Sequence, residues 1–256
     1  MTEPLPLSVS LITHNEEENL PRCLESVRSL ARELVIVDSG STDRTADVAA
    51  RFGATVVTAE WPGFLAQKNR SLHRCTQPWV LCLDADEVVS DELAASIRAA
   101  LADSRSEASG FYLNRRTYYL GDWIWHAWYP EWRLRLIRRG AATWAGLDPH
   151  PALQTSGATT RLPGDLLHYS FKDFADHLER SLRYARTAAD SYAAAGRRAG
   201  LGQLVFSPWA AWFKFLVLKQ AWRDGWRGWV IAGVKWADTF AKYAYLLERT
   251  RSYRRE

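Results

Sequence analysis

Cysteine is scarce: Cys23, Cys75 and Cys82 are the only three in 256 residues, they form no Cys-x-x-Cys pair, and their number is odd. A disulfide scaffold is thereby excluded and a reducing compartment expected. No unbroken apolar run approaches the ~18 residues a membrane-crossing helix needs, so none is expected. The opening MTEPLPLSVSLIT has no basic region and too short an apolar stretch for a secretory signal. Repeats and low-complexity tracts are absent, and no glycine-rich phosphate loop follows the first apolar segment, which disfavours a nucleotidyltransferase built around one. With 47% hydrophobic and 24% charged residues, disordered, collagen-like and coiled-coil classes drop out.

Aromatic residues are abundant, with 13 Trp, 10 Tyr and 9 Phe. Charge is unevenly placed. Residues 1–171 hold 17 Lys and Arg against 21 Asp and Glu, whereas residues 172–256 hold 16 against 8. An acidic front and a basic, aromatic rear point to two different jobs.

Periodicity organises the front. Leu7–Thr13, Glu33–Val37, Ala54–Val57 and Trp79–Leu83 read as strands. They alternate with helical stretches Glu17–Leu30, Thr42–Phe52, Phe64–Arg74 and Asp91–Leu101. This alternation predicts an α/β fold, a Rossmann-like, mainly parallel sheet flanked by helices, with ligands beyond the carboxyl ends of the strands. From Gly110 shorter β-like pieces (Gly110–Arg115, Arg133–Arg138, Arg161–Leu167) surround an aromatic loop, Tyr118–Trp132, and a turn-rich segment, Gly146–Pro151. Ser170–Ala195 then reads as a helix opened by a Ser170/Asp173 capping box. A Gly196–Gly202 break separates it from a last block, Pro208–Glu248.

Polar clusters follow three strands: Thr13-His14-Asn15-Glu16, Asp38-Ser39-Gly40-Ser41-Thr42-Asp43, and Asp84-Ala85-Asp86-Glu87. The last contains the chain's one Asp-x-Asp. Two such carboxylates suit a hard divalent cation whose remaining ligands are substrate phosphates. Asp38 and its loop suit turn and helix-cap chemistry equally well. Lys68-Asn69-Arg70 gains a phosphate-facing role only beside these clusters.

Together, SLITHNEEENLPRCLESV, LVIVDSGSTDRT, FLAQKNRSL and WVLCLDADE, running from Ser10 to Glu87, resemble the family 2 glycosyltransferases of the GT-A fold. The resemblance is nearest to the bacterial lipopolysaccharide-core β-glucosyltransferase branch. That branch shares the aromatic middle, an arginine–leucine strand (Arg133-Leu134-Arg135-Leu136), a histidine in GDLLHYS (Gly164–Ser170) and a basic helical tail. It implies an inverting, metal-dependent transfer of a hexose, glucose from UDP-glucose, to a lipid-linked saccharide at the cytoplasmic face of the inner membrane. Thr13, Asn15, Glu16, Asp38 and Ser39 would line the nucleotide edge, with Lys68, Asn69, Asp84 and Ala85 on the nucleoside diphosphate. Asp86, Asp84 and His168 would hold Mg²⁺ or Mn²⁺. Many relatives carry two aspartates where this chain has Asp38-Ser39. An inverting transfer also needs a carboxylate base near the acceptor hydroxyl. Two qualify, Glu131 in YPEWRLR and, behind it, Asp148 in GLDPHP, whose rival reading is an Asp-Pro turn. The implied division is a catalytic domain over residues 1–170, with a donor half (1–105) and an acceptor half (106–170), and a helical region over 171–256.

On an ideal helix Trp222, Trp226, Trp229, Trp236, Phe240, Tyr243 and Leu247 share one face, opposite Arg223, Asp224, Arg227, Lys235, Asp238, Lys242 and Arg249. Such a helix suits a membrane interface, and equally suits packing on the protein or forming a dimer; the oligomeric state stays open. Nucleic acid is not an expected partner, because the positive charge is confined to the tail and no binding motif accompanies it. A rival from another class is a catalytically silent nucleotide-sugar-binding scaffold, which would bind donor without turnover.

Overall fold

The computed structural model describes residues 3–103, 107–148 and 150–250. In chain order the first elements are β1 (Leu5–Thr13), α1 (Leu20–Val27), β2 (Ala31–Asp38), α2 (Thr45–Arg51), β3 (Thr55–Thr58), α3 (Phe64–Arg74), β4 (Trp79–Cys82), β5 (Glu87–Val89) and α4 (Asp91–Ala102). Then come β6 (Gly110–Tyr119), β7 (Asp122–Trp123), β8 (Glu131–Arg138), β9 (Thr143–Ala145), β10 (Ala152–Gln154) and β11 (Thr159–His168). Three helices close the chain: α5 (Phe174–Ala194), α6 (Leu201–Phe213), continued by a π-helical turn over Lys214–Leu218, and α7 (Trp226–Thr250), preceded by a 3₁₀ turn over Ala221–Asp224.

The main sheet runs β3-β2-β1-β4-β8-β6-β11-β5, with β7 hydrogen-bonded to the end of β6. β3, β2, β1 and β4 are mutually parallel, as the βαβ alternation requires. β8 enters antiparallel between β4 and β6, and β5 pairs antiparallel with β11. Strand alternation sorts the apolar side chains into two cores. Leu34, Ile36 and Leu81 join Leu20, Leu24, Leu93 and Ile97 on one face. Val35, Val80 and Ile137 join Leu72, Cys75, Cys82 and Trp144 on the other. Burial on these faces pushes the Cys75 and Cys82 thiols up to about 12, so they behave as small apolar side chains.

Several helices start later than periodicity implies, because local polar chemistry takes the first turn. α1 begins at Leu20 instead of Glu17, just ahead of Pro21, which lacks an N–H and suits a helix's first turn. α2 begins at Thr45 instead of Thr42: Asp43 Oδ1 accepts from the Thr45 N–H at 2.9 Å, and Ser41 is bonded to Asp38. α5 is capped by Asp173, whose side chain accepts from Asp176 N, and not by Ser170. The break after α5 falls at 195–200, within a residue or two of the expected one, but the last block begins before Pro208. α6 starts at Leu201 and runs through Pro208, so with its π-helical extension it forms one 18-residue stretch of mean hydropathy 1.3. Contrary to the sequence expectation, that stretch is long and apolar enough to cross a membrane by length and composition. Scattered Gly, Gln, Ser and Lys residues hide it from a search for unbroken apolar runs.

The chain divides into two compact units. The first takes in residues up to Arg116, Glu131–Gly146 and His150–Ser170; the second takes in Thr117–Pro130, Leu147–Pro149 and Phe171–Glu256. The aromatic loop and Asp148 therefore belong with the C-terminal helices, which the division at 170/171 did not anticipate. Residues 251–256 of the expected basic tail lie outside the described residues.

In the first unit β11 depends on Gly164. Its φ of +88° is strained for other L-residues, and a Cβ there would lie 2.4 Å from the backbone nitrogen of Leu93 in α4. Gly140 has a similar φ of +81° with nothing within 4 Å. Gly140→Ala is expected to cost about 1–2 kcal/mol from strain alone. Gly164→Ala adds about 1–3 kcal/mol of overpacking. Urea denaturation of the pair reads the difference, and equal losses would show that α4 yields freely.

Candidate active site

The parallel register brings three polar clusters to one sheet edge. Thr13 pairs with Asp38 at the ends of β1 and β2, and Asp84 follows β4, the other neighbour of β1. Asp38 is buried, and its carboxylate takes four hydrogen bonds: Thr13 Oγ1 at 2.7 Å, Gly40 N at 3.0 Å, Ser41 N at 2.7 Å and Ser41 Oγ at 2.6 Å. Burial opposes its charge, but these donors hold its pKa below the usual value. A carboxylate offers about four acceptor sites, so a nucleobase N–H must displace one of the loop's own donors. Ser39 Oγ accepts from Gln67 Nε2 at 3.0 Å.

Asn15 has φ +56°, and its Oδ1 accepts from Thr42 N at 2.9 Å while its own N–H donates to Ser41 Oγ at 2.8 Å. Glu16 donates its N–H to Thr45 Oγ1 at 2.8 Å and accepts from Asn19 Nδ2 at 3.0 Å. Loops from two parallel strands are thus tied together by side-chain-to-backbone bonds, and the edge is preformed.

After β4 the chain makes a reciprocal turn in which Asp84 N donates to Glu87 Oε2 at 2.9 Å and Glu87 N to Asp84 O at 3.0 Å. Ala85 is packed into the core beneath it. From this turn an alternating chain of charges crosses the sheet. Lys68 Nζ meets Asp84 Oδ1 at 2.5 Å, and Arg135 Nη2 meets both Asp84 Oδ2 and Glu87 Oε1 at 2.7 Å. Arg115 bridges Glu87 at 3.4 Å and Glu131 at 2.7 Å, and Arg133 closes on Glu131 at 2.6 Å. The Glu87 side chain is fully buried. Burial opposes the charge on Asp84, but Arg135 and Lys68 hold its carboxyl well below the usual range. Asp86 stands apart from this chain. His168 Nε2 lies 3.4 Å from its Oδ2, and that imidazole lowers its pKa against the cost of burial.

Glu131 reaches the site bound at both oxygens. Burial raises its pKa, but Arg115 and Arg133 bring it down from 4.5 to about 2. A carboxylate so stabilised is a weak base until its guanidinium partners are drawn away. Asp148 lies in the second unit, where its backbone carbonyl accepts from Ser191 Oγ at 2.9 Å. Asn69, expected at the nucleotide, uses its amide on protein backbone: Trp144 N donates to its Oδ1 and its Nδ2 donates to Trp144 O, both at 3.0 Å. It thereby holds β9, while the Trp144 ring lies 4.6 Å from Lys68 Nζ. Glu87, Arg115, Arg133 and Arg135 were not singled out as site residues from sequence. Their signal is the alternation in RLRLIR, which directs Arg135 toward a buried face where an arginine needs an acid.

Among the described residues no group of three or more His, Cys, Asp or Glu side chains is arranged to hold a metal ion unaided. Both oxygens of Asp84 already meet cations, which leaves Asp86 and His168 as the adjacent donor pair. One carboxylate and one imidazole fit a Mg²⁺ or Mn²⁺ ion whose shell is completed by diphosphate oxygens and water.

The profile described as Glycosyl transferase family 2 matches residues 8–154. The lipopolysaccharide core biosynthesis glycosyltransferase LpsC of Rhizobium meliloti (strain 1021) is 32% identical over 96% of this chain and 92% of that protein. Among solved structures, the mannosyltransferase PcManGT from Pyrobaculum calidifontis, in complex with GDP-Man and Mn²⁺, aligns with a TM-score of 0.56 at 17% identity over 98% of this chain and 89% of that one. S. aureus TarS 1–349 in complex with UDP-GlcNAc aligns with a TM-score of 0.52 at 12% identity over 95% of this chain and 91% of that one. These two likenesses establish a common GT-A-like fold.

Glu87→Gln is expected to cost about 3 kcal/mol, because it leaves the buried Arg135 with Asp84 as its one remaining carboxylate partner. Glu25→Gln, which breaks the exposed Arg28–Glu25 pair, should stay within about 0.5 kcal/mol. Urea titrations at neutral pH compare them, and a small loss at Glu87 would mean that water or Asp84 compensates the guanidinium.

Proposed function

The chain belongs to glycosyl transferase family 2 and is a glycosyltransferase, and from that premise we propose that it moves a hexose, glucose from UDP-glucose, onto a lipid-linked saccharide of the lipopolysaccharide core with inversion at the anomeric carbon. The observation that carries this reading is the joining of Asp84, Asp86, His168, Lys68 and Arg135 beyond the end of β4. The similarity to LpsC over nearly the whole chain supports the acceptor class. The resemblance to the lipopolysaccharide-core β-glucosyltransferase branch supports the donor.

In this reading the nucleotide lies along Thr13, Asn15, Glu16, Asp38 and Ser39, and the diphosphate lies toward Lys68, Asp84 and Ala85. Asn69 acts there indirectly, by holding Trp144 beside Lys68. A Mg²⁺ or Mn²⁺ ion, held by Asp86 and His168 beside Asp84, would neutralise charge on the departing nucleoside diphosphate. Lys68 and Arg135, now paired with Asp84, would supply further positive charge there. Glu131 would take the proton of the acceptor hydroxyl once the acceptor draws Arg115 and Arg133 from it. The double pairing of Glu131 also favours a second reading, in which Asp148 is the base and Glu131 positions the arginines. The enzyme would work in the cytoplasm, peripherally attached to the inner membrane, where lipid-linked acceptors are presented.

Thermal shift with UDP, GDP, dTDP and CMP, each with Mn²⁺, Mg²⁺ or EDTA, tests the donor class. A ligand at about 100 times its Kd adds ~2.7 kcal/mol, roughly 5–10 °C for a protein of this size. UDP with metal is expected to give that shift. Asp86→Ala should remove its metal-dependent part, and unchanged calorimetric affinity would refute the metal assignment. A shift with UDP but no UDP release with any acceptor would favour the silent scaffold.

The pH dependence of kcat/KM separates the bases. With Glu131 as base, the acid limb follows its depressed pKa and activity holds down to about pH 4. Activity lost in Asp148→Asn and retained in Glu131→Gln transfers the role to Asp148.

A further inference from the structure

The second unit's helices divide the tail's aromatic residues between packing and exposure. α7 buries Ile231, Ala232, Val234 and Leu246 against its neighbours. Its Trp229 and Trp236 rings lie 6.2 Å and 5.7 Å from Trp212 and Trp209 of α6, and Trp236 stacks on Phe240 at 5.5 Å. Part of the aromatic face read from sequence is therefore a helix–helix interface. Trp209 lies at the edge of that contact, and from it α6 presents a largely exposed apolar side. Val205, Phe206, Trp209 and Phe213 are 51%, 72%, 58% and 50% exposed, and Leu218 is 68% exposed. The surface continues past the π-helical turn to Trp222 and Trp226, at 53% and 58%. Ten of the fifteen exposed large hydrophobic side chains among the described residues fall between Leu201 and Trp229. On a helix of 100° per residue the first four lie within about 100° of arc, so they form a stripe.

Charge around this stripe has one sign. Arg197, Arg198, Lys214, Lys219 and Arg223, which flank or interrupt it along the chain, are exposed, Lys219 with its ammonium also donating to Ala127 O at 3.2 Å. Between Arg197 and Val234 the only acid is Asp224, whose side chain is 2% exposed. Sequence periodicity placed Asp224 on the polar face of a helix. It sits instead in the 3₁₀ turn, where it accepts from the N–H groups of Trp125, His126 and Ala127 at 2.9, 3.1 and 2.8 Å, with His126 Nδ1 at 2.9 Å. Arg227 Nε donates to Leu120 O at 2.9 Å. The turn that joins the two exposed helix faces is thus tied to the aromatic loop, and its tryptophans are held in place before any partner arrives.

We propose that the outer face of α6, continued by Trp222 and Trp226, docks on an anionic lipid bilayer, with α6 lying in the plane of the interface. This deepens the membrane-facing part of the proposed function and rests on it, naming the lipid surface as the partner. Tryptophan favours the boundary between headgroups and acyl chains, and Lys214, Lys219 and Arg223 meet lipid phosphates beside it. A second copy of the chain fits poorly, since twofold pairing of this face sets the cation cluster against itself. A crossing helix fits poorly too. Leu201–Leu218 carries Lys214, and its inner side packs along α7, which bears Lys235, Asp238 and Lys242.

Flotation of the full chain with vesicles of phosphatidylcholine alone, or mixed with phosphatidylglycerol, tests this. The wild type is expected to float at least tenfold better with the anionic vesicles and to be released by a carbonate wash. Phe206→Ser with Phe213→Ser, both at exposed positions, should reduce binding at least tenfold while leaving Tm and the UDP-induced shift unchanged. Lys214→Gln and Arg223→Gln should each weaken anionic binding about fivefold. No flotation, or flotation untouched by the double serine variant, overturns the proposal. So does resistance to carbonate, which indicates a crossing helix, or a dimer in light scattering that the serine variant abolishes. The UDP shift, measured without lipid, separates failure here from failure of the donor assignment.

Discussion

The turn after β4 and the antiparallel strands beside it depend on burying Glu87 and Arg135 together. A fully buried carboxylate is tolerated only when it is paired and hydrogen-bonded. Glu87 meets both conditions: Arg135 and Arg115 neutralise it, and it accepts from the Asp84 backbone. The pair joins the turn after β4 to β8, and through Arg115 to β6. Strands brought together by antiparallel pairing are thereby locked in charge register as well as in hydrogen-bond register. Removing either partner leaves the other buried with one counter-charge fewer, Asp84 for Arg135 or Arg115 for Glu87, so the constraint acts on the fold and on the site alike.

The same chain of charges sets the resting state of the chemistry. Lys68 and Arg135 are already present where a diphosphate is expected, but each neutralises Asp84. Arg115 and Arg133 hold Glu131 ionised and weakly basic. Each acid therefore has a cation partner, and each cation has an acid that a charged substrate could replace. Asp86 differs in having an imidazole, that of His168, as its neighbour. A site of this kind holds its charges in ion pairs.

The C-terminal unit follows another economy. Its aromatic residues outnumber the places available in its interior, so some form the α6–α7 contact and the rest remain at the surface among cations. Asp224 makes that exposure compatible with order. One buried carboxylate satisfies three backbone N–H groups of the aromatic loop, which otherwise would need water or secondary structure.

Local spacing was enough to read the parallel strands, the positions of the polar clusters after β1, β2 and β4, and the change of character near Gly110, because strand and helix periods are properties of neighbouring residues. The resemblance carried by those motifs pointed to the family, and the comparisons bear that out. What spacing could not supply is pairing between distant segments. Asp38 is saturated by Thr13 and its own loop, Asn69 is engaged by Trp144, and Glu131 is bound by Arg115 and Arg133. The Thr13–Asp38, Asn69–Trp144 and Arg115–Glu131 pairings join residues that only sheet register or helix packing brings within about 3 Å, whereas Arg133 stands two residues from Glu131 on the same strand. The sequence alone determined which residue types stand at the strand ends. Tertiary structure decided which of them are already engaged, because a hydrogen bond or ion pair depends on separation in space, and separation along the chain does not specify it.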